Sequence, residues 1–112
     1  MMECLFCKIA KKEIPSEIIY EDEKILAFKD IKPVAPIHIL IIPKKHIPSV
    51  AHAGIEDKAL LGELILVAQK IAREQGIAKK GYRLSFNVGK DAGQVVEHLH
   101  LHLMGGEKLP FP

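Results

Sequence analysis

The stretch Glu97-His98-Leu99-His100-Leu101-His102-Leu103-Met104 sets three histidines in strict alternation with three leucines. Side chains on a β-strand alternate between the two faces, so we predict a strand from Val96 to Leu103 with the imidazoles on one face at intervals of roughly 7 Å. Imidazole is the commonest metal ligand, and its ordinary pKa of about 6.5 also suits acid–base or nucleophilic work. Both kinds of site stay open on these residues alone.

Apolar segments upstream of this stretch predict the rest of a sheet. They are of strand length, rich in Ile, Leu, Phe or Tyr, and bounded by prolines or by a turn at 21–23; we predict strands over 17–21, 24–29, 38–42 and 82–88. Apolar residues at helical spacing predict one long helix over 57–75 that stops at Gly76, and a short N-terminal helix is predicted over 5–12. The predicted fold is α+β, with a mostly antiparallel five-stranded sheet.

Length and composition limit the classes of protein that fit. The chain has 112 residues, which is room for a single domain over 1–112, and 16 basic against 14 acidic residues give a net charge of +2. That balance argues against a nucleic-acid partner. The longest apolar run, 39–42, is far shorter than the roughly 20 residues of a membrane span. With two closely spaced cysteines as well, we expect a cytoplasmic protein.

The loop before the histidine stretch suggests an anion site. Gly89 and Gly93 flank short polar residues, and turns of this kind expose backbone N–H groups that can take up a phosphate. Asn87, at the end of the preceding strand, either caps this turn or donates its amide to a phosphoryl oxygen. The alternative interpretation of the whole segment is an ordinary hairpin loop.

These residues resemble a known family. The run from His98 to Met104 resembles the His-φ-His-φ-His-φ-φ signature of the histidine triad (HIT) superfamily, where φ is apolar. Segments resembling the Hint branch of that superfamily cover nearly the whole chain, namely 4–9, 13–15, 27–31, 35–38, 42–47, 80–83, 93–94 and 105–106. The resemblance implies a purine nucleoside phosphoramidase that acts on AMP or GMP conjugates, and a homodimer joined through long helices and edge strands.

The resemblance also implies roles for individual residues. His100 would attack the α-phosphorus and form a nucleotidyl-histidine intermediate, with its other ring nitrogen donating to a backbone carbonyl in the same strand. The remaining histidines of the predicted catalytic set are His98, His102 and His38. Phosphoryl oxygens would be held by His102 together with Asn87, Gly93 and Gln94, while Asp30 would accept from the ribose hydroxyls. The apolar slot for the base would consist of Phe6, Ile9, Phe28, Ile31 and Leu40, for which ordinary core packing is the alternative. No cofactor is needed for this chemistry.

Two departures from the family pattern affect the leaving group. Val95 stands where many Hint-branch enzymes carry a serine that is thought to assist departure, and the tail to Pro112 has no tryptophan. Two other functions therefore stay open. One is hydrolysis of dinucleoside polyphosphates, as in the Fhit branch, and the other is a zinc-stabilised nucleotide-binding protein with little turnover.

A separate metal site is predicted near the N-terminus. Cys4 and Cys7 have the Cys-x-x-Cys spacing that lets two thiolates occupy adjacent corners of a tetrahedron. Similarity to bacterial relatives with this pair implies His46 and His98 as the other two ligands of a structural zinc. The alternative is a pair of reduced thiols without metal.

Overall fold

The computed structural model describes residues 4–111, which form a five-stranded antiparallel sheet with two α-helices. The strands are β1 (Ile18–Glu21), β2 (Ile25–Lys29), β3 (Ile37–Pro43), β4 (Tyr82–Phe86) and β5 (Leu101–Gly105), in the spatial order β1-β2-β3-β5-β4. The helices are α1 (Leu5–Ala10) and α2 (Lys58–Glu74), and short 3-10 turns span Val50–His52, Ile55–Asp57 and Lys90–Ala92. The predicted α+β fold is confirmed.

The sheet is covered on both faces, which explains why β2 and β3 are buried along almost their whole length instead of alternating between buried and exposed residues. On one face, Ile39 and Leu103 pack in a core that α2 closes with Leu64, Val67, Ala68, Ile71 and Ala72. On the other face, Leu26, Phe28, Leu40 and Ile42 pack against Phe6 and Ile9 of α1. Because α1 covers only part of that second face, the rest of the face is left for a site.

Helix α2 begins and ends within one residue of the predicted bounds. Its buried residues all face the sheet, as the apolar spacing predicts. The chain leaves the helix through Gly76, whose φ of 76° is the left-handed conformation that glycine adopts without a steric penalty. The Ile77 N–H then donates to the Ala72 carbonyl at 3.0 Å and closes the last turn. In residues 4–111, no helix has the length and apolar character that crossing a membrane requires.

The prediction of a strand from Val96 to Leu103 is wrong in its first half, since β5 begins at Leu101. The chain before it turns sharply, with the His98 N–H donating to the Val96 carbonyl and the Leu99 N–H donating to the Ile47 carbonyl at 2.7 Å. The second bond ties Leu99 to the loop after β3, and the ladder between β3 and β5 begins only at the pair Ile41–Leu101. Only His102 of the three motif histidines lies in a strand.

Candidate active site

A cavity of about 1190 Å³ opens on the face of the sheet that carries the histidines. Its floor includes His38, His100 and His102, and α1 forms one wall. Leu40 lies directly opposite His102 in the β3–β5 ladder, so both side chains point to this face. The topology thus brings residues 64 positions apart, His38 and His102, into one site.

His100 lies in this cavity with one ring nitrogen already committed. Its Nδ1 is 2.6 Å from the carbonyl oxygen of His98, which can only accept, so the proton is on Nδ1 and the lone pair is on Nε2. The Phe6 ring packs edge-on against the imidazole, with centroids 5.0 Å apart. Although only 8% exposed, His100 lines the cavity, and it presents there the nitrogen that can act as a nucleophile.

A second histidine pair sets the protonation of His102. The Val34 N–H donates to Nδ1 of His38, so neutral His38 carries its proton on Nε2. That Nε2–H donates to Nδ1 of His102 at 3.0 Å, and we therefore assign the His102 proton to its own Nε2. His100 and His102 are ring neighbours with centroids 5.0 Å apart. The site thus pairs a lone pair on His100 with an N–H donor on His102.

Burial keeps this histidine pair neutral. Burial, together with the nearby His100 and His38, lowers the pKa of His102 to about 4, and Asp30 opposes the shift. Burial also lowers the pKa of His38, against the attraction of Asp30. The Asp30 carboxylate lies 3.5 Å from Nε2 of His38, so at neutral pH this contact joins a carboxylate to a neutral ring rather than forming an ion pair.

The predicted nucleoside-binding residues lie along one side of the cavity. Asp30 is there, with one oxygen accepting from the Lys32 N–H at 2.8 Å. The five apolar residues predicted for the base slot, Phe6, Ile9, Phe28, Ile31 and Leu40, all line the cavity. Four of them are buried and pack in one cluster, as core residues do, whereas Ile31 is 93% exposed at the rim. Their role as a slot for the base stays a prediction.

The loop at 89–94 uses most of its predicted donors internally. The Asn87 amide donates to the Ala92 carbonyl at 2.8 Å, and the Gln94 amide donates to the carbonyls of Pro48 and Val96. The N–H groups of Gly93 and Gln94 also bond within the loop. Asn87 and Gly93 line the cavity, and Gln94 does not. Asn87 therefore caps the turn, while the phosphate role of this loop stays a prediction.

The His98 ring lies outside the cavity, with both ring nitrogens engaged elsewhere. Its Nε2–H donates to the Pro43 carbonyl at 2.7 Å, so the Nδ1 lone pair faces the N-terminal cysteines. His98 thus has two separate roles: its ring belongs to the cysteine cluster, and its backbone carbonyl orients the ring of His100. The sequence pattern did not separate these, because it placed all three rings on one face of a regular strand.

Four potential metal ligands converge beside α1. The sulfurs of Cys4 and Cys7 each lie 3.2 to 3.5 Å from Nδ1 of His46 and Nδ1 of His98. The two Nδ1 atoms are 3.1 Å apart. Tetrahedral zinc with bonds of about 2.0 to 2.3 Å separates its ligands by roughly 3.3 to 3.8 Å, so this cluster is close to the required size. The Pro43 carbonyl that holds Nε2 of His98 is the kind of partner that fixes a metal-binding histidine.

The trio Asp30, His38 and His102 also brings three possible ligand atoms together, but it fits a metal poorly. A metal on Nε2 of His38 would need the lone pair there, and the Val34 N–H already requires the lone pair on Nδ1. The same reasoning favours the cysteine cluster, where the His98 proton points away from the ligands. Asp30, His38 and His102 therefore form a hydrogen-bonded chain, whereas the cysteine cluster has the donor set of a zinc site.

Sequence reasoning missed the residues along β4. Arg83 and Ser85 line the cavity beside Met104 of β5. Strand alternation on β4, combined with its pairing to β5, is the signal that could have found them. The N–H of Val34 and the carbonyl of Pro43 were also missed, because backbone groups leave no trace in a sequence pattern.

Comparison with known proteins agrees with this fold. A family model described as the HIT domain matches residues 11–109. The chain is 50% identical over 107 residues to the purine nucleoside phosphoramidase of Escherichia coli K12, covering 96% of this chain and 90% of that protein. It is also 50% identical over 105 residues to protein HitA of Neisseria gonorrhoeae, covering 94% and 97%.

Solved structures give the same result. A HIT family hydrolase from Legionella pneumophila superposes with a TM-score of 0.96 at 50% identity, over 98% of both chains. A histidine triad protein from Clostridium difficile has a TM-score of 0.96 at 46% identity, over 100% of this chain and 97% of that one.

Proposed function

The chain belongs to the HIT domain family, and from that premise we propose that it hydrolyses purine nucleoside phosphoramidates or related nucleoside monophosphate conjugates through a nucleotidyl-histidine intermediate. The observation that carries this proposal is the pair of opposed nitrogens in the cavity. Nε2 of His100 has a lone pair because Nδ1 donates to the His98 carbonyl, and Nε2 of His102 has a proton because His38 donates to its Nδ1.

The proposed reaction has two steps. In the first, Nε2 of His100 forms a bond to the α-phosphorus, and the phosphorus–nitrogen bond to the leaving amine breaks. The amine leaves with the bonding pair and takes a proton from water. Positive charge develops on the His100 ring, where the His98 carbonyl stabilises it through the Nδ1–H.

In the second step, water attacks the same phosphorus and the bond to His100 breaks. The electron pair returns to Nε2 of His100, and the water loses a proton to solvent. The products are a nucleoside monophosphate and an amine. During both steps, the N–H of His102 would donate to the phosphoryl oxygen on which charge accumulates. Asp30 and the slot beside α1 would hold the ribose and the base.

A metal would act here as a structural element. We propose that Cys4, Cys7, His46 and His98 hold one zinc ion that fixes α1 to the segment before β5. Bound there, zinc would only cross-link chain segments, because protein ligands would fill all four positions of a tetrahedral ion and leave none for substrate. The proposal is supported by the donor set and by the spacing of the four atoms.

We also propose a homodimer. Support comes from α2, whose outer surface exposes Ile65 and Leu66, and from β4, an edge strand with a row of backbone groups that can pair with a second copy.

A substrate panel tests the proposed activity. Purified protein is assayed with adenosine phosphoramidate, an aminoacyl-adenylate and a dinucleoside polyphosphate. We expect turnover of the phosphoramidate to exceed that of the polyphosphate. A preference for the polyphosphate would favour the Fhit-like alternative, and nucleotide binding without turnover of any substrate would favour a binding protein.

A further inference from the structure

Arg83 lies in the cavity on the side away from the base slot. The sheet order places β5, with His102, between β3 and β4, whereas α1 packs over β2 and β3. Arg83 pairs with Met104, and Ser85 pairs with His102 in the β4–β5 ladder. Residues directly opposite each other in an antiparallel ladder point to the same face, so Arg83 shares the face of the histidines.

The guanidinium of Arg83 is held in place but has no carboxylate partner. Its Nη2 donates to the carbonyl of Pro110 at 2.7 Å, which fixes the side chain against the C-terminal segment. Among residues 4–111, none of the ion pairs includes Arg83. An arginine carries five N–H donors, and the Pro110 carbonyl accounts for one of them. A half-buried guanidinium that is held in position and has no carboxylate partner is suited to bind an anion.

The other side of the cavity has a different charge arrangement. There Lys29 is paired with Glu17 at 2.8 Å, and the Asp30 carboxylate adds a negative charge near the ribose position. The two sides of the cavity are thus unequal. The α1 side offers apolar surface and charges of both signs, from Glu17, Lys29, Asp30 and Lys32, whereas Arg83 is the charged residue that β4 contributes to the cavity.

We propose that Arg83 binds an oxyanion, carboxylate or phosphate, carried by the leaving group of the substrate. This inference rests on the proposed function. With the nucleoside on the α1 side and His100 attacking from the floor, the leaving group departs on the far side of phosphorus, and its extension toward β4 meets the guanidinium. Arg83 is thereby a specificity-determining residue that selects anionic over neutral leaving groups, in the fork geometry that suits carboxylate and phosphate.

Matched substrates test this proposal. One pair of adenosine 5′-phosphoramidates carries glycine or glycinamide as the leaving amine, and a second pair carries 2-aminoethyl phosphate or 2-aminoethanol. The measured quantity is the ratio of kcat/KM for the anionic member to kcat/KM for its neutral partner. Intrinsic reactivity differs within each pair, but it cancels when the same ratio is compared between protein variants.

Arg83→Gln should lower this ratio about three- to tenfold relative to wild type, which lies between the effects of an exposed ion pair and of a hydrogen bond to a charged group. The kcat/KM for the neutral members should stay within about twofold. If the natural anion is a carboxylate, the ratio should fall in the glycine pair. If it is a phosphate, the ratio should fall more in the 2-aminoethyl phosphate pair than in the glycine pair. Arg83→Lys should keep part of the preference.

Lys80→Gln is the control, because it removes the same charge just before β4 at an exposed position outside the cavity. It should leave both ratios at the wild-type value. An unchanged ratio in Arg83→Gln, an equal drop in Lys80→Gln, or a loss of the same size on anionic and neutral substrates would overturn the assignment of Arg83. If wild-type protein turned over none of the four substrates, the proposed function itself would fail.

Discussion

At the scale of single residues, the site depends on which nitrogen of each imidazole carries the proton. Three backbone groups decide this: the carbonyls of His98 and Pro43, and the N–H of Val34. The histidines themselves were predicted from the sequence pattern, and the family resemblance added Asp30 and five apolar residues, all of which line the cavity. The tautomers of the histidines were not predicted, because the deciding partners are backbone atoms whose positions exist only in the folded chain.

The two cavity histidines of the motif should therefore differ in their effect on rate. His100→Asn is expected to lower kcat by a factor on the order of 10³ to 10⁶, because only binding and charge stabilisation would remain. His102→Asn should cost roughly 10² to 10³, because it removes one donor to the transition state. Both are to be measured on adenosine phosphoramidate, with AMP affinity as the control for folding. A greater loss in His102→Asn than in His100→Asn would contradict the assigned roles.

His102 should also make the folded protein sensitive to acid. Its pKa is lowered to about 4 in the fold, while an unfolded chain holds histidine near 6.5, so between these values the unfolded state binds more protons. The free energy of unfolding should thus be highest above about pH 6.5 and fall as the pH drops toward 4.

Urea unfolding at several pH values, with a chelator present throughout so that metal release does not contribute, measures this dependence. His102→Gln should show a shallower fall than wild type over the same range. Equal slopes for the two proteins would mean that His102 does not keep its neutral, buried state.

At the scale of secondary-structure elements, regular periodicity predicted most of the fold. Helix α2 and strands β1 to β4 were predicted within about two residues of their observed bounds, because apolar spacing and glycine or proline boundaries act locally. The segment 96–100 was misassigned as strand for the opposite reason. Its alternation is real, but the bonds from the His98 ring to the Pro43 carbonyl and from the Leu99 N–H to the Ile47 carbonyl decide its path, and both are long-range effects.

Helix α1 has only six residues, and two members of the cysteine cluster, Cys4 and Cys7, lie at its N-terminal end. We expect elemental analysis to find about one zinc per chain after purification without chelator, and far less in Cys7→Ala. Hydrogen exchange of the α1 amides should speed up in that variant while α2 keeps its protection, since α2 packs on the other face of the sheet. Wild-type protein purified with far less than one zinc per chain would contradict the metal proposal and leave the fold unaffected.

At the scale of the whole molecule, the two faces of one sheet differ in what they contain. The face under α2 is an apolar core, and the opposite face carries the histidines, the slot beside α1 and the guanidinium of Arg83. The family model covers residues 11–109, and the single domain over 1–112 stays a prediction, with residues 1–3 and 112 outside the described part. Assembly is the property that one chain predicts least well, since it depends on surface contacts with a second copy.

Sedimentation at micromolar concentration tests the assembly. We expect a mass about twice the 12.5 kDa of one chain. Replacing the exposed Leu66 of α2 with Glu should shift the protein toward monomer, because it places a charge on the proposed apolar contact. Glu in place of the exposed Ile55, which lies outside α2, is the matched control and should leave the mass unchanged. A wild-type mass equal to one chain would refute the dimer.

The central claim is that His100 forms a covalent bond to phosphorus, and trapping this intermediate tests it most directly. Wild-type protein is mixed with adenosine phosphoramidate and quenched within milliseconds into alkaline denaturant, because phosphorus–nitrogen bonds to imidazole hydrolyse in acid. Intact-mass and peptide analysis should then show one adenosine monophosphoryl group per labelled chain, located on His100, and none in His100→Asn. Full turnover by His100→Asn, or an adduct located on His102 instead, would contradict the proposed mechanism.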